Sequence, residues 1–174
     1  IAAWCALRGL HVTMQDQNPE ALAGVMKRAY GLYKKRLKLP RLIQNAMDRL
    51  IPDMKGNGLS QADVVIEAIF EDVDAKQGLF KAIEAKLKSD AILATNTSSI
   101  PLEVLSKVLS KPERLVGLHF FNPVAQMQLV EIVKGEQTSD AIAQQAAVFT
   151  RKIDRLPLLV KSAPGFLVNR VLMP

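Results

Sequence analysis

The run ADVVIEAI, residues 62–69, constrains this chain more than any other stretch. Its four large aliphatics suit a strand covered on both faces, as in a sheet flanked by helices. Residues 72–88 follow with charges on one side, the pattern of an amphipathic helix. AILATN (91–96) then repeats the strand pattern. Strand, helix, strand predicts parallel pairing, because parallel neighbours need a crossover long enough to hold a helix. The same pattern extends along the chain. Residues 1–8 read as the end of a helix stopped near Gly9, and LHVTMQD (10–16) as a short strand. Residues 19–38 form a helix with Pro19 in its first turn; Pro40 breaks it, 41–50 is a further helix, and GNG (56–58) is a turn. Beyond residue 96 come a helix at 99–109, strands at 114–120 and 128–134, a helix at 139–153, a strand at 156–160 and a last helix opening at 164–174. The expected fold class is α/β with a mostly parallel sheet and a second half of mixed direction, where connections shorten.

The 174 residues, 49% hydrophobic and 23% charged, suffice for one sizeable domain with a core. No apolar run approaches the length of a membrane span, and no metal site is expected. The single cysteine, Cys5, has no partner for an internal disulfide, which fits a reducing compartment and a cytoplasmic location. The net charge of +6 is uneven: residues 21–47 hold Lys27, Arg28, Lys34, Lys35, Arg36, Lys38 and Arg41, and no acid. Such a segment is a solvated helical face, a nucleic-acid surface or a patch for a phosphorylated ligand. Aromatics are only 5% and no nucleic-acid motif is present, so nucleic acid is not expected as a partner. The chain opens without Met or a basic leader and closes inside a helical pattern, so it reads as a piece truncated at both ends.

Helix, strand and then Asp16 are three parts of a nucleotide-binding βαβ unit. In such units an acid after the second strand holds the ribose hydroxyls of NAD and repels the 2′-phosphate of NADP. Spacing alone is equally compatible with Asp16 as a turn or cap residue before helix 19–38. The glycine-rich turn that would carry the pyrophosphate, and the strand before it, are not in this sequence. Weak or no NAD binding is therefore expected of the piece by itself.

GLHFFNPVAQMQLVEIVKG (117–135) places His119 and Glu131 in apolar surroundings. Taken singly, His119 reads as a core histidine and Glu131 as an edge-strand charge. On neighbouring strands, tertiary pairing can bring the two together. His11, in LHVTMQD, has no chemical partner in view and reads as structural.

Taken together, VIEAIFEDVDAKQGLF (65–80), ATNTSSIPL (94–102), GLHFFNPVAQMQLVEIVKG (117–135) and APGFLVNR (163–170) closely resemble the L-3-hydroxyacyl-CoA dehydrogenase family over nearly the whole chain. NTSSIPL and VEIVKGEQTSD are more similar to the dehydrogenase part of the multifunctional fatty-acid-oxidation alpha subunits. The resemblance implies a Rossmann-like NAD-binding domain over 1–163, lacking its first strand and glycine-rich turn, and the start of a helical C-terminal domain over 164–174. It implies NAD-dependent oxidation of L-3-hydroxyacyl-CoA to 3-ketoacyl-CoA. The partners it implies are an acyl-CoA substrate and an oligomeric parent, with a thiolase subunit. A non-catalytic acyl-CoA or nucleotide-binding module, or a sugar-acid dehydrogenase, remain the alternatives.

Residue by residue, the resemblance makes His119 the base and Glu131 its orienting acid. Ser98 and Asn169 become groups at the substrate 3-oxygen, with Ser98 also beside the nicotinamide. Asp16, Ile69, Phe70, Glu71, Lys76 and Asn122 fall on the cofactor side. Position alone also allows Ser98 as a helix cap, Asn169 as a surface residue, Glu71–Lys76 as a surface charge pair, Phe70 as core and Asn122–Pro123 as a plain turn. Ser99 is the expected cap of helix 99–109. Phe120 and Phe121 are expected to keep water from the His–Glu pair. The basic helix is a candidate for holding the phosphates of coenzyme A.

Overall fold

The computed structural model describes residues 1–172. The chain divides into two compact units, Ile1–Gly58 and a second from Leu59 onward.

The first unit comprises α1 (Ala2–Leu7), β1 (Val12–Met14), α2 (Pro19–Arg36), α3 (Pro40–Asp48) and β2 (Leu50–Pro52). Pro19 and Pro40 each sit in a first helical turn, where a missing N–H costs nothing. Asn18, not Asp16, caps α2, its side chain accepting the Glu20 N–H at 2.8 Å. α2 buries Leu22, Ala29 and Tyr33 along one stripe, against Ala6, Met14, Ala46 and Leu50. Tyr33 donates its hydroxyl to Ala3 O at 2.8 Å, and burial pushes its pKa up to about 12. β1 and β2 pair in parallel, Val12 opposite Leu50. β2 corrects the sequence reading, which continued the helix through Leu50. Its three residues end in a proline and carry no strand signal of their own; pairing with β1 makes them a strand.

The second unit comprises β3 (Val64–Glu67), α4 (Val73–Glu84), β4 (Ile92–Thr95), α5 (Leu102–Ser106), β5 (Leu115–Phe120), β6 (Leu129–Lys134), α6 (Asp140–Lys152), β7 (Leu156–Lys161) and α7 (Val168–Leu172). The strands form one sheet in sequence order. All neighbours are parallel except β5 and β6, which gives the mixed second half expected from the short connections. β5 is central and buried at all six positions. Phe80, Ile83, Leu93, Leu102, Leu105, Leu115, Val133 and Phe166 pack into one core. Asp72 caps α4 and Ser139 caps α6, each accepting a first-turn N–H.

Several boundaries differ from expectation, among them the helix expected at 72–88, which ends at Glu84. The helix expected at 99–109 is confined to Leu102–Ser106, and its N-cap is Pro101 rather than Ser99. Ser99 instead gives its N–H and hydroxyl to Glu71. The last helix starts at Val168, after a turn in which Gly165 and Phe166 have φ of 73° and 50°; positions 173–174 of the expected helix lie outside the described residues. No helix among the described residues is long and apolar enough to cross a membrane.

Candidate active site

Because β3, β4 and β5 run in parallel, the segments following them emerge at one edge of the sheet. Residues 68–71, 96–99 and 121–122 follow these three strands. Ligands of open α/β sheets bind at that carboxyl edge.

The antiparallel step puts the key pair there too. His119 is directly opposite Glu131 in the β5–β6 register. His119 Nδ1 lies 2.7 Å from Glu131 Oε2, with the ring 6% and the acid 0% exposed. Glu131 Oε1 accepts the backbone N–H groups of Leu167 at 3.0 Å and Val168 at 2.8 Å. The carboxylate is thus bonded through both oxygens, and an imidazole donating from Nδ1 keeps its lone pair on Nε2. Phe121 stacks at a tilt with 4.6 Å between ring centroids, and Phe166 meets the imidazole edge-on at 5.6 Å. Phe120 is buried in β5, and its N–H goes to Asn96 Oδ1 at 3.0 Å.

A second cluster lies at the ends of β3 and β4. Glu71 Oε1 accepts from the Thr97 hydroxyl at 2.5 Å, the Ser98 N–H at 2.9 Å and the Ser99 hydroxyl at 3.1 Å. Burial pushes the Glu71 carboxyl up. The donors from Thr97, Ser98 and Ser99, with the charge of Lys76 3.4 Å from Oε2, outweigh it and hold the pKa at about 2. Lys76 is not a surface charge: it is 1% exposed, and its ammonium bonds Glu67 Oε1 at 2.7 Å and Ile69 O at 3.3 Å. Glu67 Oε1 also accepts the Ile69 N–H, and Oε2 accepts the Thr95 hydroxyl, both at 2.7 Å. Phe70 is not core but 72% exposed, beside exposed Ile69.

Ser98 and Asn169 are brought together, Asn169 Nδ2 donating to Ser98 O at 3.4 Å. Asn122 is exposed just after β5. Asp16 lies in the first unit, exposed two residues past β1, with Oδ1 accepting the Asn18 N–H at 2.8 Å. It therefore forms the local turn its position allowed, and its carboxylate remains open to solvent. His11 is exposed as well.

Sequence reasoning missed Glu67, Asn96, Thr97 and Phe166. Glu67 carried a signal, an acid inside a buried aliphatic strand. Phe166 carried none, since only tertiary packing places it on His119. Among the described residues no His, Cys, Asp and Glu group is arranged to hold a metal ion.

The chemistry at this edge fits NAD. An exposed aromatic and an aliphatic next to an ionised carboxylate suit a flat ring and its ribose hydroxyls. The buried His119 lies two strands away, on β5. Fold and site together define the class of Rossmann-type α/β domains with a buried His–Glu pair near the carboxyl edge. The chain belongs to the 3-hydroxyacyl-CoA dehydrogenase family, whose NAD-binding-domain model matches residues 1–163. It is 38% identical, over 178 aligned positions, to the fatty acid oxidation complex subunit alpha of Pseudomonas putida, covering all of this chain and 25% of that protein. The chain thus spans a quarter of the length of such curated relatives. Among solved structures it resembles the (S)-3-hydroxybutyryl-CoA dehydrogenase of Ralstonia eutropha, with a TM-score of 0.93 and 35% identity over 98% of this chain and 62% of that one. It also resembles the 3-hydroxybutyryl-CoA dehydrogenase of Escherichia coli K12, with a TM-score of 0.89 and 35% identity over 98% of this chain and 37% of that one.

Proposed function

We propose that this domain serves, within a longer polypeptide, in the NAD-dependent oxidation of L-3-hydroxyacyl-CoA to 3-ketoacyl-CoA in fatty-acid β-oxidation. The observation that carries the reading is the buried contact of 2.7 Å between His119 Nδ1 and Glu131 Oε2. An alcohol loses a proton and a hydride on oxidation. His119 Nε2 takes the hydroxyl proton, and Glu131 holds the tautomer that leaves Nε2 free and stabilises the imidazolium that results. Bound NAD supplies the hydride acceptor. Phe121 and Phe166, packed against the ring, limit water around the charged pair. Ser98 and the Asn169 amide address the 3-oxygen and fix its orientation. Glu71, Ile69 and Phe70 line the nicotinamide side, with Asn122 at its rim. Lys76 serves from behind, through Glu71 and the Ile69 carbonyl, and Asp16 is the ribose acid. Segment 1–163 is read as the NAD-binding domain and residue 164 as the start of a following helical domain. The reading extends to a cytoplasmic, oligomeric alpha subunit acting beside a thiolase; the name of the Pseudomonas putida relative, a complex subunit alpha, supports membership of a complex.

The test is a substrate panel on the full polypeptide containing this domain, following NADH formation. L-3-hydroxyacyl-CoA should turn over with NAD and poorly with NADP. Replacing His119 by Ala should lower kcat by about 10²–10⁴-fold, the span of a lost general base. Unchanged turnover in that variant would remove the base assignment.

A further inference from the structure

The two oxygens of Glu131 serve different elements. Oε2 meets the imidazole, while Oε1 takes the N–H groups of Leu167 and Val168. Val168 opens α7, and the next residue is Asn169, whose amide reaches Ser98 O. The chain bends sharply to deliver those two N–H groups. Gly165 has φ 73°, and Phe166 has φ 50° although it is not glycine. A bulky residue in the left-handed region persists only where its surroundings over-determine it, and such residues gather at functional sites. Phe166 is 2% exposed, with its ring edge-on to His119. The turn before α7 is therefore held twice against the same pair, through the Phe166 ring and through Glu131 Oε1.

We propose that Glu131 is a positioning residue for Asn169 as well as for His119. One buried carboxylate aligns the proton acceptor through Oε2 and the amide that addresses the substrate oxygen through Oε1. The assignment of Asn169 to the substrate rests on the dehydrogenase reading; the anchor itself does not. The two duties are separable. A glutamine at 131 can accept both backbone N–H groups through its carbonyl oxygen. Its NH₂ then faces His119 Nδ1 and drives the ring proton onto Nε2. Such a variant keeps the anchor and loses the base.

Amide exchange at Leu167 and Val168, and ¹⁵N spectra of the His119 ring, test this on the chain itself. Glu131→Ala should speed exchange at both amides by about tenfold or more, as expected when a local anchor opens. His119→Ala, which also breaks the pair, should leave exchange within about threefold of the parent. Glu131→Gln should keep slow exchange while its spectrum shows the proton on Nε2. Val168→Pro removes one anchor donor at a first helical position that tolerates proline. It should speed Leu167 exchange and leave the His119 spectrum unchanged, so the proposal stays testable if Glu131→Ala does not fold. Parent-like protection in Glu131→Ala or Val168→Pro, or loss of protection in Glu131→Gln, overturns the anchor. Absence of NADH formation by the full polypeptide would instead overturn the dehydrogenase reading and leave the exchange pattern standing.

Discussion

At the scale of the residue, the carboxyl edge is governed by how buried charges are matched. Lys76 is a cation out of water, held by Glu67 from the strand beneath and by Glu71 from the loop above. Removing one partner of such a set leaves a charge without compensation, which costs about 3–5 kcal/mol, whereas neutralising both is far milder. Lys76→Met should therefore lower stability by about 3–5 kcal/mol in urea unfolding. The double variant Glu67→Gln with Lys76→Met should recover most of that loss. A single variant as stable as the parent would show that Lys76 does not balance the two acids. Glu71 adds a pH signature. Its folded pKa is depressed from 4.5 to about 2, so its stabilisation is fully present above 4.5 and is lost as pH falls through 2. Glu71→Gln should lower stability at neutral pH and flatten the fall between about pH 4.5 and 2, with the acid end nearly unchanged, read by unfolding curves at stepped pH. An unaltered acid limb would assign it to other carboxylates. Much of this chemistry was legible in the sequence by type but not by depth. Glu71 and Lys76 stood out as a pair, yet i,i+5 spacing says nothing of burial, and the deciding partner, Glu67, looked like a strand residue.

At the scale of the element, the site depends on how closely β5 and β6 approach. Gly117 lies opposite Val133 two residues before His119, and a Cβ on Gly117 would stand 2.6 Å from Val133 Cβ. Gly117→Ala must push the strands apart or slide them, at a cost of about 1–3 kcal/mol as for other overpacked cores. The expected outcome is a lower urea midpoint together with a disturbed His119 ring resonance. Gly117→Ala paired with Val133→Ala should restore both. If the double variant stays as perturbed as the single one, the close approach is not the cause. The alternation of apolar runs and amphipathic helices made β3 through β7 readable, because burial on both faces writes itself into composition. The register of β5 against β6 was not readable; it arises from the turn between them and from Gly117 meeting Val133. β2 was missed because three residues ending in proline have no strand preference until β1 pairs with them. The start of α5 was placed too early because the amides before it are drawn off elsewhere, Ser99 by Glu71, a partner remote in sequence, and Ile100 by the Thr97 hydroxyl.

At the scale of the whole molecule, charge is concentrated on one segment of the first unit. The chain carries +6, and residues 21–47 alone contribute +7, so the remainder is close to neutral at −1. All seven basic side chains are exposed on α2, α3 or the link between them. No acid lies within that span, and among the described residues Lys34 and Arg36 lie over aromatic rings, those of Tyr30 and Trp4. A field of one sign over a helix raises the local concentration of polyanions, and salt erases it over about 8–10 Å. A coenzyme A thioester, with its 3′-phosphate and diphosphate, is such a polyanion. Reversing Lys27, Lys35 and Lys38 to Glu spares the two ring contacts and turns +3 into −3. In the full polypeptide the KM for acyl-CoA should rise severalfold at low salt, and that rise should shrink as salt is added. The kcat and the melting temperature should hold, since these side chains touch neither core nor dyad. A KM that does not move at low salt would make this segment a solvated face and nothing more. A rise that persists at high salt would point to direct contacts rather than the field.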